Sequence, residues 1–402
     1  MGHNGAVTSE HPPTTPGPTP GHPAPVPPGG PSGRDDRQGE DPRLRRGGAL
    51  AAAFAHPRLA VVTLVLLCAM LLGGLFIPVP YVIEQPGPAI DVLGDYEHRK
   101  VLEIDGHKTY PTDGELMMTT VAVSGGPGYR VTPAEVMRSW FDRTRAVSPR
   151  ETVFPDDQTQ DETSLQNTVD MKTSQQDAIA VALDELDVDY TEGVFVAGIE
   201  KDAPAQDTLE AGDQVLAVGG RSAQDTKGFQ ELTAATPKGQ DVDMTIRRDG
   251  TKKDVQVPTE VRDGSPKMGI VLAAGYDFPF DVKIGVGEVG GPSAGTMFAL
   301  SVYDQLTPGS LTDGQKIAGT GTIDDKGKVG PIGGIRQKLV GASDAGADFF
   351  LAPGANCEDV AGAEPDGMSV VRVDTFDDAL GAVRSIAKHG DAEGLPTCEE
   401  NS

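Results

Sequence analysis

Three cysteines, seven histidines and a single tryptophan in 402 residues leave several chemistries without raw material. Three cysteines say little by their number alone. The histidines are scattered and no H-E-x-x-H occurs, so the zinc-hydrolase pattern is missing. A phosphate-binding loop is missing too: Gly327-Lys328 is followed by Val329 and lacks the earlier glycine, so no ATPase module is expected. Basic side chains are scarce, 34 Lys and Arg against 60 Asp and Glu, for a net charge of -26. That balance excludes nucleic acid as a partner, because phosphate binding rests on clustered Lys and Arg that release counterions. Neither a cofactor nor a metal is expected.

What is present is unevenly distributed. Eleven of the 32 prolines fall in the first 42 residues, centred on TTPGPTPGHPAPVPPGGPSG. Such a segment cannot bury enough apolar area to offset its chain entropy, so residues 1–58 read as a disordered tail. Its charge is 6 - 5 = +1, which leaves -27 for the remainder. Between the two lies Leu59–Ile77, LAVVTLVLLCAMLLGGLFI, without a charge. As a helix it would cover about 28 Å, close to the roughly 30 Å core of a bilayer. Pro78-Val79-Pro80 follows it where a signal peptide would offer small residues for cleavage, so an uncleaved anchor is expected. Arg43, Arg45, Arg46 and Arg58 precede the run and the next basic residue is Arg99. Positive charge stays inside, which predicts a single-pass plasma-membrane protein with a cytoplasmic N-terminus and its bulk outside the cytoplasm. Cys357 and Cys398 would then lie in an oxidising compartment where they can pair, although spacing alone leaves that bond open.

Beyond the anchor, residues 79–123 read as short strands with turns, 131–160 have no clear pattern, and TSQQDAIAVALDEL reads as a helix capped by Thr173 or Ser174. From Gly193 the text gives a strand (Val194–Ile199), a second strand (Gln214–Val218), a helix near Phe229–Ala234 and a hairpin about Asp249-Gly250. The phrases DAPA…LEAGDQVLAVGG and TIRRDG resemble a bacterial PDZ domain over residues 185–260. That resemblance implies capture of extended peptides or free C-termini by strand addition.

Two later blocks carry the chemistry. In DVKIGVGEVGGPSAGTMFALSVYDQL an alternating strand runs through a glycine-rich bend into a helix beginning near Ser293. Gly285, Gly287 and Gly290 satisfy G-x-G-x-x-G, but no βαβ unit surrounds them and a dinucleotide site is not expected. Ser293 suits a helix N-cap. It equally suits a nucleophile, since Gly290, Gly291, Ala294 and Gly295 leave room for a substrate backbone and helix N-terminal amides can stabilise an oxyanion. The second block, IAGTGTIDDKGKVGPIGGIRQKLVGASDAGADFFLAP, holds Lys338 on a helix beside Ile335, Leu339 and Val340. On its own it is an ordinary solvated lysine. Near pKa 10.4 it would be neutral about once in 2500 molecules at pH 7, so a role as base requires desolvation that lowers its pKa to about 8.

Read together, GPSAG with its apolar helix and TGTI…GKVGPIGGIRQKLVGA…AGADFFLAP resemble the proteolytic domain of the Lon family over residues 265–386. The resemblance implies a Ser–Lys dyad at Ser293 and Lys338, with Thr320 of the T-G motif as a helper and a homo-oligomer as the assembly. Gly290 stands where the family often has an acidic residue, and Lys283 and Gly285 where it often has histidines. The expected architecture is α+β: one transmembrane helix (59–77), a strand-rich region (79–184) that completes the protease, the PDZ module, the Lon-type α/β domain and a frayed tail (388–402). The expected function is an ATP-independent serine endopeptidase acting on extended polypeptides, with Gly291 and Ala294 beside the nucleophile. The competing reading is a non-catalytic membrane scaffold that binds peptides through its PDZ domain.

Overall fold

The computed structural model describes residues 57–399 except 75, 156, 157 and 288. The expected tail therefore lies, up to residue 56, outside the described residues.

Helix α1 (Pro57–Gly74) is apolar from Leu59 onward, with most of its side chains exposed. It is shorter than the expected Leu59–Ile77. The pair Gly73-Gly74 ends it, since glycine loses the most entropy in a helix. Phe76 and Ile77 then donate to the Gly73 and Gly74 carbonyls in tight turns. Among the described residues no helix is long and apolar enough to cross a membrane.

The chain continues through β1 (Tyr81–Asp91), β2 (Leu102–Asp105), β3 (Glu115–Ser124), α2 (Pro133–Trp140) and β4 (Ala146–Pro149). Helix α3 (Gln160–Glu185) leads into β5 (Thr191–Ile199), β6 (Gln214–Val218), α4 (Thr226–Ala234), β7 (Val242–Arg248), β8 (Thr251–Val257) and β9 (Ile270–Asp277). Then come β10 (Asp281–Ile284), α5 (Gly295–Leu306), β11 (Lys316–Gly319), α6 (Ile335–Asp344), β12 (Phe349–Pro353), α7 (Cys357–Val360), β13 (Ser369–Val373) and α8 (Phe376–His389).

Two sheets organise these elements. The larger has the order β13-β12-β11-β3-β1-β4; it is parallel from β13 to β3 and antiparallel beyond. Strands β1 and β3, from the region before the PDZ-like segment, thus lie in one sheet with β11, β12 and β13 from the C-terminal third. Alternation along its strands fills a core on each face. Leu116, Ile317 and Leu351 point into a core with Phe298 and Leu300 of α5. Met117, Ala318 and Phe350 point the other way, against Ile335 and Leu339 of α6. The second sheet, β8-β7-β6-β5-β9, is antiparallel, and β7 and β8 are joined by the two-residue turn Asp249-Gly250.

Three boundaries differ from the sequence reading. Strand β9, placed by sequence at the start of the protease, pairs with β5 from Ile270↔Ile199 to Asp277↔Thr191 and closes the smaller sheet. Helix α3 begins well before Thr173: Thr159 and Glu162 form a reciprocal capping box, and Ser174 is buried inside the helix. Its first half packs on β5, where Leu165 and Val169 approach Gly198 so closely that any Cβ there would lie 2.7 Å from Leu165 Cδ1. The described part of the expected tail, residues 388–399, is not frayed. Gly390 ends α8 in the left-handed conformation, the Arg372 amide donates to the Pro396 carbonyl, and Cys398 is buried in a disulfide with Cys357.

Candidate active site

The site forms where β11 ends. Its last residue, Gly319, is followed by Thr320, which is fully buried. Helix α5 approaches from one face of the sheet and α6 from the other, and the side chains preceding α5 and lining α6 meet at this end. In sheets with parallel strands, the carboxyl ends commonly offer such a crevice.

Ser293 stands two residues before α5. The N-cap is Ala294, which contributes no side-chain cap, so the Ser293 hydroxyl is not used for capping. Its carbonyl is fixed instead, accepting from the Gly321 amide at 2.8 Å and from Thr320 Oγ1 at 2.9 Å. Lys338 Nζ donates to Ser293 Oγ at 2.8 Å and to Thr320 Oγ1 at 2.9 Å. Thr320 therefore touches the lysine and the serine backbone with one hydroxyl.

Lys338 is only 3% exposed and has no ion-pair partner among the described residues. Burial without a counter-charge disfavours the ammonium form and lowers its pKa to about 7. Helix α6 can deliver it there because Gly334 starts the helix in the left-handed region at φ 65, and a Cβ on it would lie 2.7 Å from Val121 Cγ2. Upstream, Asn356 grips Ile332 at both ends of its amide side chain, accepting from the amide and donating to the carbonyl at 2.9 Å each.

Helix α3 holds the Ser293 segment from behind. Ser174 Oγ donates to the Pro292 carbonyl at 2.9 Å, and the Asn167 carbonyl accepts from the Gly291 amide at 3.0 Å. Gln175 Nε2 donates to the Ile284 carbonyl on β10. The Gly291 amide is thereby occupied, which removes it as an oxyanion donor; the Ser293 and Ala294 amides have no acceptor among the described residues. A cleft of about 630 Å³ borders this segment, lined among others by Tyr129, Asn167, Met171, Val286 and Gly290. Lys283, in the place of a family histidine, pairs with Asp249 at 3.1 Å and with Asp281.

Ser293, Lys338 and Thr320 are thus brought into one hydrogen-bonded group, with Ala294 adjoining and Gly291 turned to a structural task. Asn167, Ser174 and Asn356 were missed in the sequence. Ser174 gave a signal, a hydroxyl in line with apolar Ala178 and Val181, but it reads equally well as a cap.

Residues 158–259 match the family description of a PDZ domain, and residues 277–383 that of the Lon protease (S16) C-terminal proteolytic domain. The chain therefore carries a serine peptidase domain of the Lon type joined to a PDZ domain. The PDZ match begins inside the strand-rich region 79–184 and takes in α3. Among curated relatives, Lon protease of Campylobacter jejuni is 35% identical over 119 residues, 29% of this chain and 14% of that protein. Lon protease 1 of Bacillus subtilis is 32% identical over 125 residues, 30% of this chain and 16% of that protein. The chain spans only a small part of the length of these relatives. Among solved structures, the PDZ domain of an SdrC-like protein from Listeria monocytogenes is 24% identical, covering 20% of this chain and 86% of that one, with a TM-score of 0.19.

Proposed function

We propose that the chain is a membrane-anchored serine endopeptidase that works without nucleotide on extended polypeptides outside the cytoplasm. The observation that carries the reading is Lys338: buried, without a counter-charge and 2.8 Å from Ser293 Oγ. With its pKa near 7 the amine is substantially neutral at physiological pH and can accept the Ser293 proton as Oγ attacks the scissile carbonyl. The tetrahedral oxyanion is received by the Ser293 and Ala294 amides at the start of α5, and Lys338 returns the proton to the leaving amine. Thr320 orients the amine for both transfers.

Anchoring is supported by the exposed apolar surface of α1, where Leu59, Leu64, Leu66 and Met70 are each at least 59% exposed. The helical part from Leu59 to Gly74 covers about 24 Å. A shortfall of a few ångströms against the bilayer core is met by local thinning and by Phe76 and Ile77 beyond the helix end. An extracytoplasmic location is supported by the Cys357–Cys398 disulfide, a bond of oxidising compartments. The PDZ domain recruits substrate by pairing an extended segment along its sheet.

The test uses the full-length chain on an unstructured polypeptide with no nucleotide present. Cleavage by the native chain and its loss, by a factor of about 10³ or more, in Ser293→Ala and Lys338→Ala is the expected result. Equal cleavage by all three ends the dyad, and none by any of them favours a peptide-binding scaffold.

A further inference from the structure

The chain's only tryptophan is on the surface. Trp140 is 66% exposed, Phe141 beside it 88% and Met137 50%. Positions 137, 140 and 141 share one side of α2 and its C-cap, while Val136 and Ser139 are buried. Large apolar side chains gathered on one exposed helix face mark a contact surface.

The charge around this face is opposite to that of the protein. Residues 129–150 hold Arg130, Arg138, Arg143, Arg145 and Arg150 against Glu135 and Asp142, or 5 - 2 = +3, in a chain of net charge -26. Both carboxylates are already committed. Glu135 accepts from the Thr132 amide and hydroxyl in the capping box, and Asp142 accepts from Thr144 and pairs with Arg145. Arg130, Arg138, Arg143 and Arg150 form no ion pair among the described residues. An amphipathic helix with tryptophan and phenylalanine on one side and arginines flanking them suits the boundary between lipid headgroups and acyl chains, where anionic lipid adds attraction.

Position along the chain gives the second argument. Two residues after Ile77, Val79 donates from its amide to the Val131 carbonyl at 2.9 Å, at the entrance to α2. Two residues reach at most about 7 Å, so the segment leading into α2 is tied to the point where the apolar run ends.

We infer that the Met137–Trp140–Phe141 face of α2, with its flanking arginines, docks on the anionic lipid surface of the membrane that holds the anchor. This rests on the anchored reading above and extends it from a tether to a fixed seating. The docked segment begins at Tyr129, which lines the cleft beside Gly290, and includes Thr144, whose carbonyl accepts from Gln337 next to Lys338. Docking therefore holds the cleft alongside the headgroups.

Because Trp140 is the only indole, its fluorescence reports this face alone. The full-length chain is reconstituted in phosphatidylcholine vesicles with and without phosphatidylglycerol, and flotation is measured with Trp140 emission and quenching by lipids brominated near the glycerol backbone. The expected result is flotation in both, with blue-shifted, quenched emission that is stronger with phosphatidylglycerol. Charge reversal by Arg138→Glu with Arg143→Glu should remove that enhancement while peptide cleavage is retained, which shows the variant to be folded. Flotation with unquenched, water-like Trp140 emission overturns the docking and leaves the anchor standing. Failure to float overturns the anchor and the docking with it. A blue shift that grows with protein density and resists brominated lipid also overturns it, and assigns the face to a second copy of the chain.

Discussion

Lys338 differs from Lys316 and Lys283 in having nothing negative to answer it. Lys316 pairs with Glu115 and Lys283 with Asp249, and each is held above its ordinary pKa by the acidic partner. Lys338 is buried among Ile335, Leu339 and the sheet, and its nearest polar atoms are two hydroxyls. The sequence made Ser293 and Lys338 legible only as a pair, because each alone fits an ordinary helical position. The bridging of Thr320 between the lysine and the Ser293 carbonyl was not legible in physical terms, since it depends on where β11 ends relative to α5. Thr320→Val keeps the shape of the side chain and removes the bridge. A fall of about tenfold in kcat with KM little changed is expected, the rate equivalent of one hydrogen bond of roughly 1.4 kcal/mol. An unchanged kcat would show that α6 positions the amine unaided.

Helix α3 is the element that the sequence reading recovered least. Its C-terminal half showed an apolar stripe, but its first half is mostly polar, with Leu165 and Val169 lying close to Gly198 of the PDZ sheet. The start was nonetheless written in the chain as Thr159 followed by Glu162, the capping-box pattern. One helix therefore touches the smaller sheet with its first turns and supports the Ser293 segment with Asn167 and Ser174. Ser174→Ala removes the bond to the Pro292 carbonyl. Steady-state kinetics should show kcat reduced several-fold with a pH profile of the same shape, because the serine is displaced while the lysine keeps its environment. A shifted pH profile would place Ser174 closer to the proton transfer than this geometry does. Strand β9 escaped the sequence reading for a related reason: its continuous apolar run Ile270–Ala274 fits either sheet, and only pairing with β5 decides between them.

At the scale of the molecule, the six-stranded sheet joins strands separated by the entire PDZ segment, and periodicity carries no information about such partners. The C-terminal segment was misread for the same reason: its composition is that of a loose end, yet the disulfide across 41 residues fastens Cys398 to Cys357 in the core with Ile335 and Leu339 of α6. Replacing Cys398 by Ser should lower unfolding stability by about 2–4 kcal/mol in urea titration, and the same loss should appear in the native chain under reductant. No change in either would mean that the bond constrains nothing that folding does not already hold. The acidity of the whole chain opposes the proposed chemistry, because a surrounding field from a net charge of -26 favours an ammonium. Local desolvation must outweigh it if Lys338 is to be the base, and the pH dependence of kcat/KM for the full-length chain tests that balance. Activity requires the neutral amine, so kcat/KM should rise with pH through a limb near 7 and fall away below it as Lys338 takes up its proton. A limb near the ordinary lysine value of 10.5 would contradict the account.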